Sequence, residues 1–533
     1  MTSTSKYISY RETGSFSPLV LDYIEKNPML YSLPLLTPDL SGLKKAMEQR
    51  EQFATNRTVL VSHLRKQYEG MAVDQRVSEN IERLLHSSTF TITTAHQNNL
   101  FTGPLYFFYK ILHAIRLANY CKEQFPDQDF VPVYYIGSED ADIEELNHIH
   151  VGAVTHQWNT SQQGAVGRMK VDQDLLALLQ QVEGEWGVLP HGKEWVDLLK
   201  ESYQENDTMA RATFRLVNKL LGRFGIVVLD ADATALKELL KPVCSFDLEA
   251  GQTEAVLNPA FNQMKEWGYS LQAFVRPVNL FYLKEGLRQR IEKKEDNWQV
   301  VGTMEQFNKQ QLKQELDQHP DRFSPNVILR GLYQSILLPD IAFIGGGSEV
   351  AYWIPLLPLF QKMGIPFPVL VLRNSFLLVS DEQSAKLNKL GLVAEQLFQP
   401  LGELVKKFYS HADHQNSSLS DELAWMQDFY GKLSQKAATV DFTLKGHTES
   451  LAKKAAHLLV GLEKKMASAT KRKYTDAERQ IQILKDSLFP KGQLQERYDN
   501  MGVYYARYGD QLFDHLIEAS HPLEARFTIL TVN

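Results

Sequence analysis

Three short polar stretches in this chain each follow an apolar run, and their side chains define the chemistry to look for. The first is His96, Gln97, Asn98 and Asn99, with Thr102 and Gly103 close behind. An imidazole with its ordinary pKa near neutrality can move a proton or bind phosphate. The amides beside it can orient a polar substrate, or simply cap turns at a strand end. The second stretch, Ser138 to Glu145, packs five carboxylates into eight residues. Glu144 and Glu145 suit a helix N-terminus, where the macrodipole favours acids. Glu139, Asp140 and Asp142 cluster at the strand's end itself, where they would repel phosphate and attract an ammonium group or a hydrated Mg²⁺. Asn147 and His148 lie one to two turns on. His148 and His150, two residues apart on a helical pattern, are poorly spaced as metal ligands, so no metal site is expected. The third stretch is Gly345-Gly346-Gly347, with Ser348 as a helix cap. Glycines let a backbone approach a ligand closely, and a helix start favours an anion; a plain tight turn explains the triplet equally well. No Gly-Lys-Ser/Thr follows, so it is not a Walker A loop, and the spacing is not GxGxxG.

Arg276, Arg330 and Arg373 stand near strand ends in mostly apolar runs, where a guanidinium needs a partner. A carboxylate or phosphate suits each by bidentate bonding, and an internal salt bridge is the default. Cys121 and Cys244 lie on helical patterns as small buried hydrophobes rather than nucleophiles.

The elements that must position these groups follow from hydrophobic period. Residues 89–94 are β-branched and aromatic and read as a strand. The helix after it begins with Pro104, suited to the first turn, and carries Leu105, Phe108, Leu112 and Ile115 on one face. A second strand runs from Val131 to Ile136. A β-α-β unit of this length implies a parallel sheet with a right-handed crossover. The fold class is therefore α/β. Residues 1–88 read as an N-terminal helical segment, 89–155 as the first half of the core, and 156–220 as a helical insertion. Residues 221–249 return to the core through a strand at 225–230, 250–320 form a small antiparallel insertion, and 321–380 supply the second half of the core. From 381 to 489 the pattern is helical. The run from 384 to 410 and the one from about 446 to 487 suit an antiparallel coiled coil, with HADHQNSSLSDE as the turn between them. Such a coiled coil either props up the core or makes a homodimer. Residues 490–533 form a C-terminal segment packing on the core.

The 533 residues are 44% apolar and 23% charged, an ordinary globular composition. A formal charge of −7 argues against a nucleic-acid-binding surface. Two cysteines outside any CxxC argue against a disulfide framework. The polar N-terminus lacks an apolar signal core, and no run is long and clean enough to span a bilayer. A cytoplasmic protein with no membrane partner is the expectation.

Taken together, the stretches HQNNLFTGPLYFFYK, VPVYYIGSEDADIEELNHI, ILLPDIAFIGGGSEVAYW, FPVLVLRNSFLL and LFPKGQLQER resemble, in order, the BshC-type family, the cysteine-adding enzymes of bacillithiol biosynthesis. The resemblance runs from about 90 to 500. It implies a Rossmann-like parallel-sheet core with inserted connecting segments and an α-helical antiparallel coiled-coil domain used for homodimerisation. It also implies condensation of L-cysteine with the amine of glucosaminyl-malate, with ATP, and with it Mg²⁺, as the expected nucleotide. One departure stands out: the family's Thr-Gly-Gln-Gln is Thr94-Ala95-His96-Gln97 here. On this reading Asp140, Asp142 and His96 are catalytic, either of the two aspartates holding an ammonium group or freeing the attacking amine. The substrate-binding set is Gln97, Asn99, Thr102, Gly103, Ser138, Asn147, His148, Arg330, Gly345, Gly346, Gly347, Glu349, Tyr352 and Arg373. Arg330 or Arg373 with the glycine loop would hold malate carboxylates or a phosphate. The competing readings are a nucleotide-binding coiled-coil scaffold and an aminoacyl-tRNA-synthetase-like enzyme.

Overall fold

The structure is a computed structural model that describes residues 3–152, 154–405 and 418–533. The chain divides into two units, Met1–Leu378 with Gln493–Asn533, and Val379–Gly492.

The first unit is built on a five-stranded parallel sheet. Its spatial order is Val369–Leu372, Asp340–Gly345, Thr89–Gln97, Asp129–Gly137, Val227–Asp230. These strands are almost wholly buried, as expected of a parallel sheet covered on both faces. The pairing register sets Gln97 beside Gly137, Ile136 beside Asp230, and Gly345 beside Leu372. The C-terminal strand ends thus open at one edge. The chain order reverses on either side of the Thr89–Gln97 strand, a topological switch point where such sheets bind ligands. The helix that covers it runs Tyr106–Gln124 and packs on the two strands flanking it in sequence. It begins two residues later than Pro104, which instead bridges to Asn500.

Several local readings change. The chain's beginning is not only helical: Ser3–Ile8 pairs antiparallel with Phe527–Val532, and this pair forms a three-stranded sheet with Ser375–Ser380. The antiparallel insertion is a five-stranded sheet from Leu280–Lys284 to Phe323–Pro325. It is preceded by a helix, Gln252–Glu266, where β-like runs were expected. Thr253, Leu257, Ala260, Phe261 and Met264 are buried at helical spacing, with Pro259 inside the helix masking the pattern. The helix expected after Gly137 lasts one turn, Ile143–Leu146. His148 and His150 then lie on the first strand of a hairpin, His148–Val151 with Val154–Gln157. Their rings meet edge to face at 5.3 Å, and His150 stacks on Tyr498.

His113 pins the covering helix to the C-terminal segment. It is 1% exposed, its Nδ1 accepts from the Asn374 N–H at 3.1 Å, and its Nε2–H donates to the Pro522 carbonyl at 3.0 Å. Both nitrogens are committed to the neutral ring, and burial pulls the pKa down to about 4 from 6.5. The folded state therefore resists protonation, and stability is lost as pH falls from 6.5 to about 4, on the order of 3 kcal/mol in total. In His113→Gln the stability difference between pH 7 and pH 4, read by urea denaturation, is expected to shrink by about that amount. An unchanged difference would exclude this imidazole as a source.

The second unit contains the helices Asp381–Lys389, Ser420–Val440 and Leu444–Leu488. The last is a single 45-residue helix. It matches the expected run from about 446 to 487, but its partner is Ser420–Val440, joined to it by a short turn, in place of the run from 384 to 410, whose last residues, 406–410, lie outside the described residues. Leu419 at the start of one donates to Glu463 midway along the other, which fixes an antiparallel arrangement. The expected turn HADHQNSSLSDE lies largely outside the described residues, and Ser420–Glu422 already belong to a helix.

Candidate active site

The open edge of the parallel sheet forms a cleft of about 780 Å³ within the first unit. Its floor is made at the switch point. Lys110, 3% exposed on the covering helix, extends its ammonium under the loop. It reaches Glu349 Oε2 at 2.5 Å, the Ala95 carbonyl at 3.1 Å and His96 Nδ1 at 3.4 Å. An ammonium has three protons and no lone pair, so all three are used and His96 Nδ1 must accept. The imidazole is then neutral, with its proton on Nε2. Burial, with Lys110 and Arg373 nearby, holds its pKa well below the ordinary value. Glu349 Oε2 also accepts from the Gly346 N–H at 2.7 Å. One carboxylate thus ties the glycine loop to the covering helix.

One wall carries Asp140. Its Oδ2 accepts from Gln97 Nε2 at 2.8 Å and faces Arg330 Nη1 at 3.5 Å; its Oδ1 accepts from the Ala141 N–H at 2.8 Å. Burial alone would raise this carboxyl, but the Arg330 and Arg288 guanidiniums, helped by Gln97 and Ala141, outweigh it and hold the pKa at about 2. Asp140 is a fixed charge and a poor base.

Arg288 comes from the antiparallel insertion. It donates to Ser324 Oγ at 3.2 Å, and its guanidinium lies 3.9 Å from the Phe281 ring centroid. It has no carboxylate partner within salt-bridge distance among the described residues. Burial and the neighbouring Arg330 lower its pKa to about 10. The opposite wall is Arg373, bonded through both terminal nitrogens to Glu496 at 2.9 and 2.7 Å and lying 5.4 Å from the Tyr106 ring centroid. Six cations line the cleft, Lys110, Arg276, Arg288, Arg330, Arg373 and Arg497, against three acids, Asp140, Glu145 and Glu349. The field favours an anionic ligand.

Comparison with known proteins gives a consistent picture. A family model described as the bacillithiol biosynthesis BshC N-terminal Rossmann-like domain matches residues 3–374, and the BshC C-terminal coiled-coil domain matches 376–532. The chain belongs to the BshC family. A relative from Flavobacterium psychrophilum, provisionally named cysteine ligase BshC, is 36% identical over 529 residues, 98% of each chain. One of the same name from Flavobacterium johnsoniae is 36% identical over 527 residues, covering 98% of this chain and 99% of its own. Another from Cytophaga hutchinsonii is 35% identical over 515 residues, covering 97% and 96%.

In this BshC-family chain, His96, Gln97, Asp140, Arg330, Gly346, Gly347, Glu349, Tyr352 and Arg373 all line the cleft. The remaining predicted residues do not. Asp142 caps the one-turn helix, accepting from the Glu145 N–H at 3.4 Å. Ser138 Oγ donates to Asp230 at 2.6 Å, and buried Asn147 donates to the Trp158 carbonyl at 3.3 Å. His148 Nδ1 turns to the Glu144 carbonyl at 3.1 Å. Gly345 is buried at its strand end. Asn99, Thr102 and Gly103 are buried in a structural loop whose residues 101–103 all have positive φ, 42°, 71° and 65°. Asn500 Nδ2 clamps that loop, donating to the carbonyls of Phe101 at 3.0 Å and Gly103 at 2.7 Å. A Cβ on Gly103 would lie 2.6 Å from the Asn99 Cβ, so the glycine serves close approach and backbone shape. Cys121 and Cys244 are buried, and burial pushes both thiols up. Among the described residues no cluster of His, Cys, Asp or Glu has a metal-binding arrangement, and no helix is long and apolar enough to cross a membrane.

Sequence reasoning missed Lys110, Glu145 and Arg288. A lysine inside the apolar run YFFYKIL was a readable signal for the first. Glu145 was ascribed to the helix dipole alone, and nothing in the insertion's sequence singled out Arg288.

Proposed function

We propose that the protein is a ligase forming an amide bond between the carboxylate of L-cysteine and the amine of glucosaminyl-malate. The observation that carries this reading is the excess of guanidinium in the cleft, above all Arg288, which has no internal carboxylate and lies beside Arg330. The names of the relatives supply cysteine and the ligase reaction. A dicarboxylic malate group matches paired guanidiniums by bidentate bonding. Asp140, held ionised, orients Gln97 and Arg330 toward that group. Lys110 and Glu349 fix the glycine loop opposite.

ATP is the proposed co-substrate. The size of the cleft and its surplus cations fit an anionic nucleotide, and Gly346 leaves room beside the Arg373 Nε, which has no hydrogen-bond partner. When bound, ATP, with Mg²⁺ as its counter-ion, supplies activation of the cysteine carboxylate. The cytoplasm, where thiols stay reduced, is the proposed compartment. A homodimer through the coiled coil is the proposed assembly. Trp425, Val440, Phe442 and Leu458 on the helical hairpin are each more than 70% exposed, an apolar surface that a second copy would cover. Light scattering is expected to give the mass of two chains, and a single-chain mass would remove this part.

The test is mass spectrometry of purified protein with glucosaminyl-malate and cysteine, with and without ATP. A product heavier by one cysteinyl residue only with ATP is the expected result. No product from folded protein under either condition would overturn the ligase reading.

A further inference from the structure

The three carboxylates of the cleft are not equivalent. Asp140 is committed to Arg330, and Glu349 to Lys110. Glu145 lines the same cleft and has no ion-pair partner among the described residues. It is the acidic group of the cleft left free for a cation brought by a substrate. We propose that Glu145 is a catalytic residue, the proton acceptor for the substrate's attacking ammonium group.

This assignment rests on the ligase reading. Glu145 sits on the one-turn helix Ile143–Leu146 and lines the cleft beside Gln97 and Asp140. Asp142, the cap residue of this helix, and Asp140 from the loop before it are the neighbouring carboxylates that act on Glu145. The Gln97 amide faces it from the central strand, His148 from the hairpin and Tyr106 from the covering helix. Glu145 keeps an exposed surface at the cleft; partial desolvation of its carboxyl first, then Asp142 and Asp140, raise it above its ordinary value, with Gln97 and His148 opposing. Asp140, a few residues away, is held at about 2 by its arginines. Two neighbouring carboxylates driven apart in this way divide the work into a fixed charge and a proton acceptor.

The chemistry balances simply. The amine arrives as an ammonium ion and cannot attack. One N–H proton passes to a Glu145 oxygen, which frees the nitrogen lone pair to form the C–N bond at the cysteinyl carbonyl carbon. The bond from that carbon to its leaving group, installed by a nucleoside triphosphate, breaks with its electron pair. The remaining surplus proton leaves the amide nitrogen to water. His96 cannot serve instead, because its Nδ1 lone pair is occupied by Lys110.

The experiment compares wild type, Glu145→Gln and Glu145→Asp for product formation against pH, with melting temperature read in parallel. In Glu145→Gln, kcat is expected to fall on the order of 100-fold or more at neutral pH. The acid limb set by the Glu145 carboxyl should be replaced by one at higher pH, where activity climbs only as the free amine itself becomes abundant. Glu145→Asp is expected to keep the acid limb at reduced kcat. It also carries the test should the glutamine variant fold poorly. A wild type that forms product beside a Glu145→Gln with near-normal kcat and an intact acid limb overturns the assignment and leaves the ligase reading standing. A wild type that forms no product overturns both.

Discussion

Arg288→Ala is expected to raise the KM for glucosaminyl-malate roughly 30-fold or more, as loss of a charge-assisted bond in a desolvated site costs about 2 kcal/mol upward. The KM for cysteine should change by only a few-fold. The argument turns on what Arg288 already holds. Its polar contact is the neutral Ser324 hydroxyl, and its flat face rests on Phe281. Removing it leaves Asp140 with its Arg330 partner, so no buried carboxylate loses its ion pair and the loss reports chiefly substrate binding. Arg330 is a less clean probe because Asp140 would lose its cation. Lysine is not an equivalent replacement, since a point charge cannot make a bidentate bond or lie flat on the ring. A binding measurement separates the cause further. Malate alone is expected to raise the melting temperature of the wild type and not of Arg288→Ala. Equal KM values for glucosaminyl-malate in the two proteins would remove Arg288 from the site.

The contrast between Arg288 and Asp140 also shows where sequence reading reaches and where it stops. The strand that ends at Gln97 and the one that ends at Gly137 are each legible from a few consecutive residues, because a strand buried on both faces needs an unbroken apolar and β-branched run. Three polar loops at three strand ends follow from that, and Asp140, Gln97 and the glycine loop do converge on one cleft. Asn99, Thr102 and Gly103 share the same sequence neighbourhood but turn inward, clamped by Asn500 from the far end of the chain. No local pattern encodes that clamp. The same holds for the pairing of Ser3–Ile8 with Phe527–Val532, which joins the two ends of the chain. Arg288 reaches the cleft only because a separate antiparallel sheet is placed over it, a tertiary fact with no periodic signature. Glu145 was visible, but the helix dipole explained it well enough that a second role drew no notice. The hairpin partner of the long helix was missed for a related reason. Apolar spacing identifies helices, yet several amphipathic segments in one region satisfy it equally.

Glu496→Gln is expected to cost the first unit about 3–5 kcal/mol of stability, the usual result of removing one member of a buried ion pair. The Arg373 and Glu496 side chains are 5% and 0% exposed, so neither charge has recourse to water. The guanidinium also donates to the Asn374 carbonyl and the Ser375 hydroxyl, both at 3.0 Å, and that hydroxyl lies 3.2 Å from Glu496 Oε1. The Arg373 backbone N–H donates to the Gly345 carbonyl at 2.8 Å, and its carbonyl accepts from the Tyr10 hydroxyl at 2.9 Å. One pair therefore joins the glycine strand end, the N-terminal segment and the C-terminal segment beside the cleft. Its loss should lower the urea midpoint and turnover together, because Arg373 also forms a wall of the site. The double variant Arg373→Met with Glu496→Leu should be more stable than either single variant, since no charge then stays buried alone. A Glu496→Gln protein that unfolds at the wild-type urea concentration would show that water reaches the pair, and the cleft's opposite wall would then owe its position to packing instead.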